Sequence, residues 1–195
     1  MKAIARVALA LVVVLGSSGC TIRHLIEEDY PQYLANNAGT GNLPKTDRAS
    51  GYALTPETQA FSYEFRAAMT GYANLWVVEF GKMLDDTLKA EDVQEAFGGL
   101  QKLSDPAAAA PSLLVFDLET YTFEDFGAHV ALNVSLTRGG DVVFKNTYVE
   151  DGKSQGGKMF WGGAFAQKNA VQQSTKLALD QILHRLIADL NALAE

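Results

Sequence analysis

The sequence predicts an α+β domain: a mainly antiparallel sheet of about four strands, in the order strand, helices, three strands, long C-terminal helix, with the helices packed on one face. Three observations carry that expectation. Apolar residues alternate with polar ones in three stretches between residues 113 and 150, the last two stretches are joined by Arg138-Gly139-Gly140-Asp141, and residues 164–195 contain neither Gly nor Pro. Alternation is the mark of half-buried strands, Gly-Gly supplies the positive φ of a tight hairpin, and a long amphipathic run is a helix that closes over a sheet.

The chain opens with Lys2 and Arg6, an apolar run from Val7 to Leu15, and the small residues Gly16-Ser17-Ser18-Gly19. A short positive start, an apolar middle and a small-residue end form an export signal, and the run falls short of the ~20 residues a spanning helix needs. The next residue, Cys20, is the sole cysteine of the 195 residues. One cysteine forms no intrachain disulfide, and His24 is the nearest additional metal ligand, so neither a disulfide nor a metal explains its position.

Ser18-Gly19-Cys20 resembles the lipobox of bacterial lipoproteins. That resemblance implies cleavage before Cys20, acylation of its sulfur and of the new amino terminus, and lasting attachment, because several acyl chains anchor far better than one. Thr21, where enteric lipoproteins carry an inner-membrane retention aspartate, directs the expectation to the outer membrane, facing the periplasm. A plain secretory signal followed by a free thiol is the alternative.

Removing residues 1–19 takes away Lys2 and Arg6 and no acid, so the formal charge moves from −7 to −9. An acidic chain of this kind repels phosphate, which excludes nucleic acid as an expected partner. The apolar fraction of 48% and charged fraction of 20% are those of a globular protein, and the length suits one domain. The expected division is a signal over 1–19, a lipid-anchored flexible arm over 20–57, and the α+β domain over 58–195.

The arm is expected from "NNAGTGNLPKTDRASG", which is rich in Asn, Gly, Thr and Ser and lacks apolar periodicity. In "FSYEFRAAM", Tyr63, Phe65, Ala67 and Met69 share one side of a first strand. From Asn74 the spacing of Leu75, Val78, Met83, Leu84 and Leu88 reads as helical, followed by a second helix on Val93, Phe97 and Leu100 that ends at Gly98-Gly99. "KLSDPAAAAPS" is a linker. The strands "LLVFDLETYTF", "AHVALNVSLT" and "DVVFKNTYVE" follow, and then the last helix, with Val171, Ser174, Ala178, Ile182, Leu186, Leu190 and Leu193 inward and Gln173, Lys176, Asp180, His184 and Arg185 largely off that stripe.

"SLLVFDLETYTFEDFGAHVALNVSL", "TRGGDVVFKNTYVEDG" and "NAVQQSTKLALDQILHRLIADL" together resemble the small periplasm-facing lipoproteins of Gram-negative bacteria, among them the auxiliary lipoproteins of ABC-type transport and the lipopolysaccharide-assembly lipoproteins. The resemblance covers about Tyr63 to Leu190 and the signal. It implies a non-enzymatic, lipid-anchored accessory protein supporting an envelope transport or assembly complex, with a membrane contact through Cys20 and an envelope protein as partner. The alternative is a periplasmic lipid- or glycan-binding module.

Candidates for chemistry are few. "GKSQGGK", Gly152 to Lys158, carries the end of a phosphate loop but lacks the upstream glycine and the helix directly after it. Asp117 and Glu119 project from the same side of one strand, as a glycosidase carboxylate pair would, and as solvated strand-face charges do. His24, His129 and His184 have no ligand-like spacing. No catalytic residue, metal or cofactor is expected. The segment "GGKMFWGGAF" sets Met159, Phe160 and Trp161 between paired glycines, and these three are the expected partner contact; the competing reading has Phe160 and Trp161 folding back to plug the core.

Overall fold

The computed structural model describes residues 21–106, 111–154 and 159–193, with backbone only at 69, 159–162 and 164. Cys20 lies outside the described residues, as do the side chains of Met159, Phe160 and Trp161. In chain order the elements are β1 (Ile22–Leu25), α1 (Tyr30–Asn36), β2 (Gly51–Leu54), α2 (Pro56–Ala60), β3 (Ser62–Phe65), β4 (Asn74–Glu79), α3 (Phe80–Lys89), α4 (Glu91–Phe97), β5 (Gln101–Lys102), β6 (Leu113–Glu124), β7 (Gly127–Arg138), β8 (Asp141–Lys153) and α5 (Met159–Ala192). Short 3-10 turns cover Glu27–Asp29 and Ala68–Thr70.

The α+β class and the long C-terminal helix are as expected, but the sheet is not a four-stranded antiparallel one. A three-stranded sheet runs β1-β4-β3 and a five-stranded sheet runs β5-β2-β6-β7-β8. Both are mixed: β1 lies parallel to β4, and β2 lies parallel to β5 and β6, whereas β3-β4 and β6-β7-β8 are antiparallel. The parallel pairs come from short strands that the composition conceals.

Within the arm expected over 20–57, residues 21–57 are described, and much of that stretch is packed into the fold. Ile26, Tyr30, Leu34, Tyr52, Ala53 and Leu54 are buried, and β2 sits between β5 and β6 inside the larger sheet. Tyr30 donates or accepts a bond with Thr87 at 3.2 Å, and Tyr52 donates to Asp85 at 2.8 Å. Polar loop residues surround these few apolar ones, which masked the elements in the sequence.

The helix expected from Leu75 onward begins five residues later. Asn74–Glu79 is β4, with Trp76, Val77 and Val78 all buried, because a strand covered on both faces carries a continuous apolar run and no alternation. Helix α3 follows, with Phe80, Met83, Leu84 and Leu88 turned inward. Helix α4 ends at Gly98, whose φ of 68° is the left-handed cap glycine favours.

The three strands expected between residues 113 and 150 form as β6, β7 and β8. Along β7, Ala128, Val130, Leu132, Val134 and Leu136 are buried, while His129, Ala131, Asn133 and Ser135 are half-buried. The β7-β8 turn has φ of 59° and 97° at Gly139 and Gly140, the twist that suits a two-residue hairpin. The β6-β7 turn adopts positive φ at Asp125 and Phe126 without glycine, and the Phe126 carbonyl accepts from both Ser154 N–H (3.2 Å) and Ser154 Oγ (2.7 Å).

Helix α5 packs on β7 and β8, with a break at Gly163. Its expected stripe is buried at Val171, Ser174, Ala178, Ile182, Leu186 and Leu190. Lys176 and Asp180, expected off the stripe, are buried as well; His184 and Arg185 are exposed.

Candidate functional site

Strand β8 is the outermost strand of the five-stranded sheet, and among the described residues no strand lies beyond it. It is 13 residues long. Its inner side is fixed by α5: Tyr148 OH donates to Asp189 at 2.7 Å, Asn146 Nδ2 donates to the same carboxylate at 3.1 Å, and the Arg185 guanidinium holds Glu150 and lies over the Tyr148 ring at 5.6 Å. Burial and the Asp189 hydrogen bond push the Tyr148 hydroxyl well above the usual tyrosine range. These contacts make β8 a rigid edge.

The strand carries charged residues and one bulge opposite Leu136 and Thr137, and it also exposes apolar side chains. Val142, Val143 and Val149 are 61%, 47% and 62% exposed. Two backbone groups of β8 are bonded to side chains: Thr147 N–H donates to Asn146 Oδ1 (2.9 Å), and the Asp151 carbonyl accepts from Gln181 Nε2 at 3.3 Å. A long edge strand with exposed apolar side chains is a template for an added strand. The sequence carried a signal for it, since Val143 and Val149 occupy positions that alternation assigns to solvent.

The open face of the same sheet holds a depression of about 210 Å³, lined by the polar residues Thr55, Asp117, Asn133, Ser135 and Lys145 together with Val115 and Val134. Asp117 lies here, accepting from Thr55 Oγ1 at 3.0 Å. A bulge between Leu118 and Thr120 interrupts the alternation that would set Asp117 and Glu119 on the same side of the strand. Thr147 Oγ1 donates to Asn133 Oδ1 at 2.5 Å.

His24 stacks on Trp76 with ring centroids 4.4 Å apart and shares a 2.7 Å hydrogen bond with Asn74 Oδ1. His129 Nδ1 lies 2.6 Å from Asp151, and His184 is exposed on α5. Gly152 and Lys153 of "GKSQGGK" end β8, and residues 155–158 lie outside the described residues. The backbone of Met159, Phe160 and Trp161 is the first turn of α5 rather than a loop. Among the described residues no group of three or more His, Cys, Asp or Glu side chains is placed to hold a metal ion, and no helix is long and apolar enough to cross a membrane.

One charged cluster escaped the sequence reading. Asp85 accepts from Tyr52 OH at 2.8 Å and pairs with Lys89 and Lys102 at 2.6 and 2.9 Å. Burial alone would raise its pKa, and the three donors together hold it below the ordinary value. Asp86 beside it is pushed up by burial and by the Asp85 charge. The cluster ties β2 and β5 to α3.

No family model matches the chain, and no curated protein matches it. Among solved structures it is similar to the protein XCC0632 from Xanthomonas campestris, of family DUF330, at 14% identity over 75% of this chain and 87% of that chain, with a TM-score of 0.49. It is also similar to an uncharacterized protein, at 16% identity over 74% and 95% of the two chains and a TM-score of 0.44. A third, the hypothetical protein CT253 from Chlamydia trachomatis, shows 12% identity over 73% and 95%, with a TM-score of 0.39. At such distances the function is read from this chain's own residues.

Proposed function

We propose that the protein is a lipid-anchored accessory component of the bacterial envelope, held at the outer membrane facing the periplasm, which acts by binding another protein and performs no reaction of its own. The observation that carries the reading is the β8 edge, with Val142, Val143 and Val149 exposed on the outermost strand of the sheet. A partner strand laid along it gains main-chain hydrogen bonds, and the valines select its side chains. The lipobox-like Ser18-Gly19-Cys20 supports the location.

A photo-crosslinking residue at Val149, with the same residue at Leu177 as control, tests this in intact envelopes. One crosslinked envelope protein at Val149, absent at Leu177, is expected. Identical patterns at the two positions would overturn strand addition at β8.

The depression lined by Asp117, Asn133, Ser135 and Lys145 beside Val115 and Val134 favours one second reading, a glycan-binding module, since hydroxyl and amide groups beside apolar surface suit a sugar. Titration with envelope oligosaccharides, followed by NMR shifts at Asn133 and Ser135, distinguishes it. No shift at saturating sugar removes it.

A further inference from the structure

We propose that one end of the domain lies directly against a lipid bilayer, with Ile22, Tyr72 and Phe165 in contact with lipid and Arg66 facing lipid phosphate. The inference rests on the reading of Cys20 as the acylated residue and goes beyond it, because an anchored arm would leave the domain free to stand away from the membrane.

The chain leaves no such arm. Strand β1 begins at Ile22, two residues after Cys20, so Cys20 stays within about 7 Å of the first strand residue. β1 is locked in parallel register on β4, from Ile22 opposite Asn74 to Leu25 opposite Val77. The residue between is fastened too: Arg66 Nη2 donates to Thr21 Oγ1 at 3.3 Å, and Arg66 Nη1 donates to the Tyr72 carbonyl. Acyl chains on Cys20 therefore bring this end of the domain to the headgroups.

The same end displays apolar side chains. Ile22 is 52% exposed, Tyr72 73% and Phe165 88%. Helix α5 packs on the turn Ala68–Thr70, shortly before Asn74, the partner of Ile22, and further along α5 Lys168 and Gln172 bond Asp29, beyond the other end of β1, at 2.9 and 2.6 Å; Phe165, one turn before Lys168, is taken to lie toward the Ile22 end. Tyrosine with aliphatic and aromatic neighbours is the composition of a membrane interface. Among the described residues the contacts of Arg66 are a hydroxyl and a carbonyl, both neutral, which leaves its charge for a phosphate oxygen.

The test uses the full acylated chain in vesicles of phosphatidylethanolamine and phosphatidylglycerol. Fluorophores are placed by Tyr72→Cys and by Phe165→Cys, with Val149→Cys as the distant control; all three sites are exposed, so folding is not at stake. Lipids brominated near the headgroup should quench the probes at 72 and 165 by about twofold or more, as for groups buried ~5–10 Å into the interface, and leave the probe at 149 unchanged. Vesicle flotation with equal, weak quenching at all three sites overturns the docking while the anchor stands. An unmodified Cys20 mass together with failure to float overturns the acylation reading, and the docking falls with it.

Discussion

Lys176 Nζ lies 2.6 Å from Asp180 Oδ2 on adjacent turns of α5, and both side chains are shielded from solvent. Asp92 Oδ2 stands 3.8 Å from the same ammonium, and Asp180 Oδ1 finds no hydrogen-bond donor among the described residues. The cover is the loop after α1: Gly39 N–H donates to Asp92, and a Cβ on Gly41 would come within 3.0–3.2 Å of the Asp180 carboxylate. Burial pushes the Asp180 carboxyl above its ordinary value against the pull of Lys176.

Breaking this pair leaves a charge stranded. Lys176→Met is expected to destabilise the domain by about 3–5 kcal/mol, and Lys176→Met with Asp180→Leu to recover most of that loss, since an apolar pair of similar size avoids the desolvation. Urea unfolding of the two variants decides it. A double variant no better than the single one would show that the pair, not the desolvation, holds the helix.

Glu27, in the turn after β1, gives the stability a pH dependence. Burial, joined by the charge of Glu79, pushes its carboxyl above the ordinary 4.5, although Lys82 stands 3.7 Å away. The folded state thus holds this proton more tightly than the unfolded chain. The group's contribution is complete below its ordinary pKa and is lost as pH rises through the raised folded value. Glu27→Gln should match the wild type at pH below that range and exceed it above, in urea midpoints taken across the two. Parallel curves would mean that Glu27 titrates alike in both states.

Gly152 is where β8 meets α5. A Cβ there would lie 1.8 Å from the Ser174 carbonyl oxygen and 2.8 Å from the Ala178 nitrogen. The obstacles are backbone, so strand and helix must separate, and Gly152→Ala is expected to cost about 3 kcal/mol or more. Gly139→Ala meets nothing within 4 Å and is strained only by its φ of +59°, a cost of about 1–2 kcal/mol. Thermal melts that rank the two the other way would contradict the close approach.

Leu186 and Leu177 sit on the same helix, one fully buried and the other 38% exposed. Leu186→Ala should cost about 2–5 kcal/mol through the cavity it leaves, and Leu177→Ala about 0.5 kcal/mol or less. Equal losses would place the wrong face of α5 against the sheet.

What the sequence determined by itself is the part of the fold written in local periodicity. The alternation from Val130 to Leu136, the Gly139-Gly140 turn and the 3.6-residue stripe from Val171 to Leu190 need no distant partner to be read, and β7, β8 and the part of α5 beyond Gly163 formed where they were expected. Only the tertiary structure decided the rest. β2 is four residues buried on every side, so it has no alternation to show and exists because β5 and β6 flank it. β1 owes its place to β4, nearly fifty residues away in the chain. Lys176 and Asp180 have the spacing of a surface ion pair, and the loop carrying Gly39 and Gly41 removes them from water. Even the edge that β8 offers is a matter of strand order, because a strand's own residues fix which face is apolar, and its neighbours alone fix whether its amides are left open.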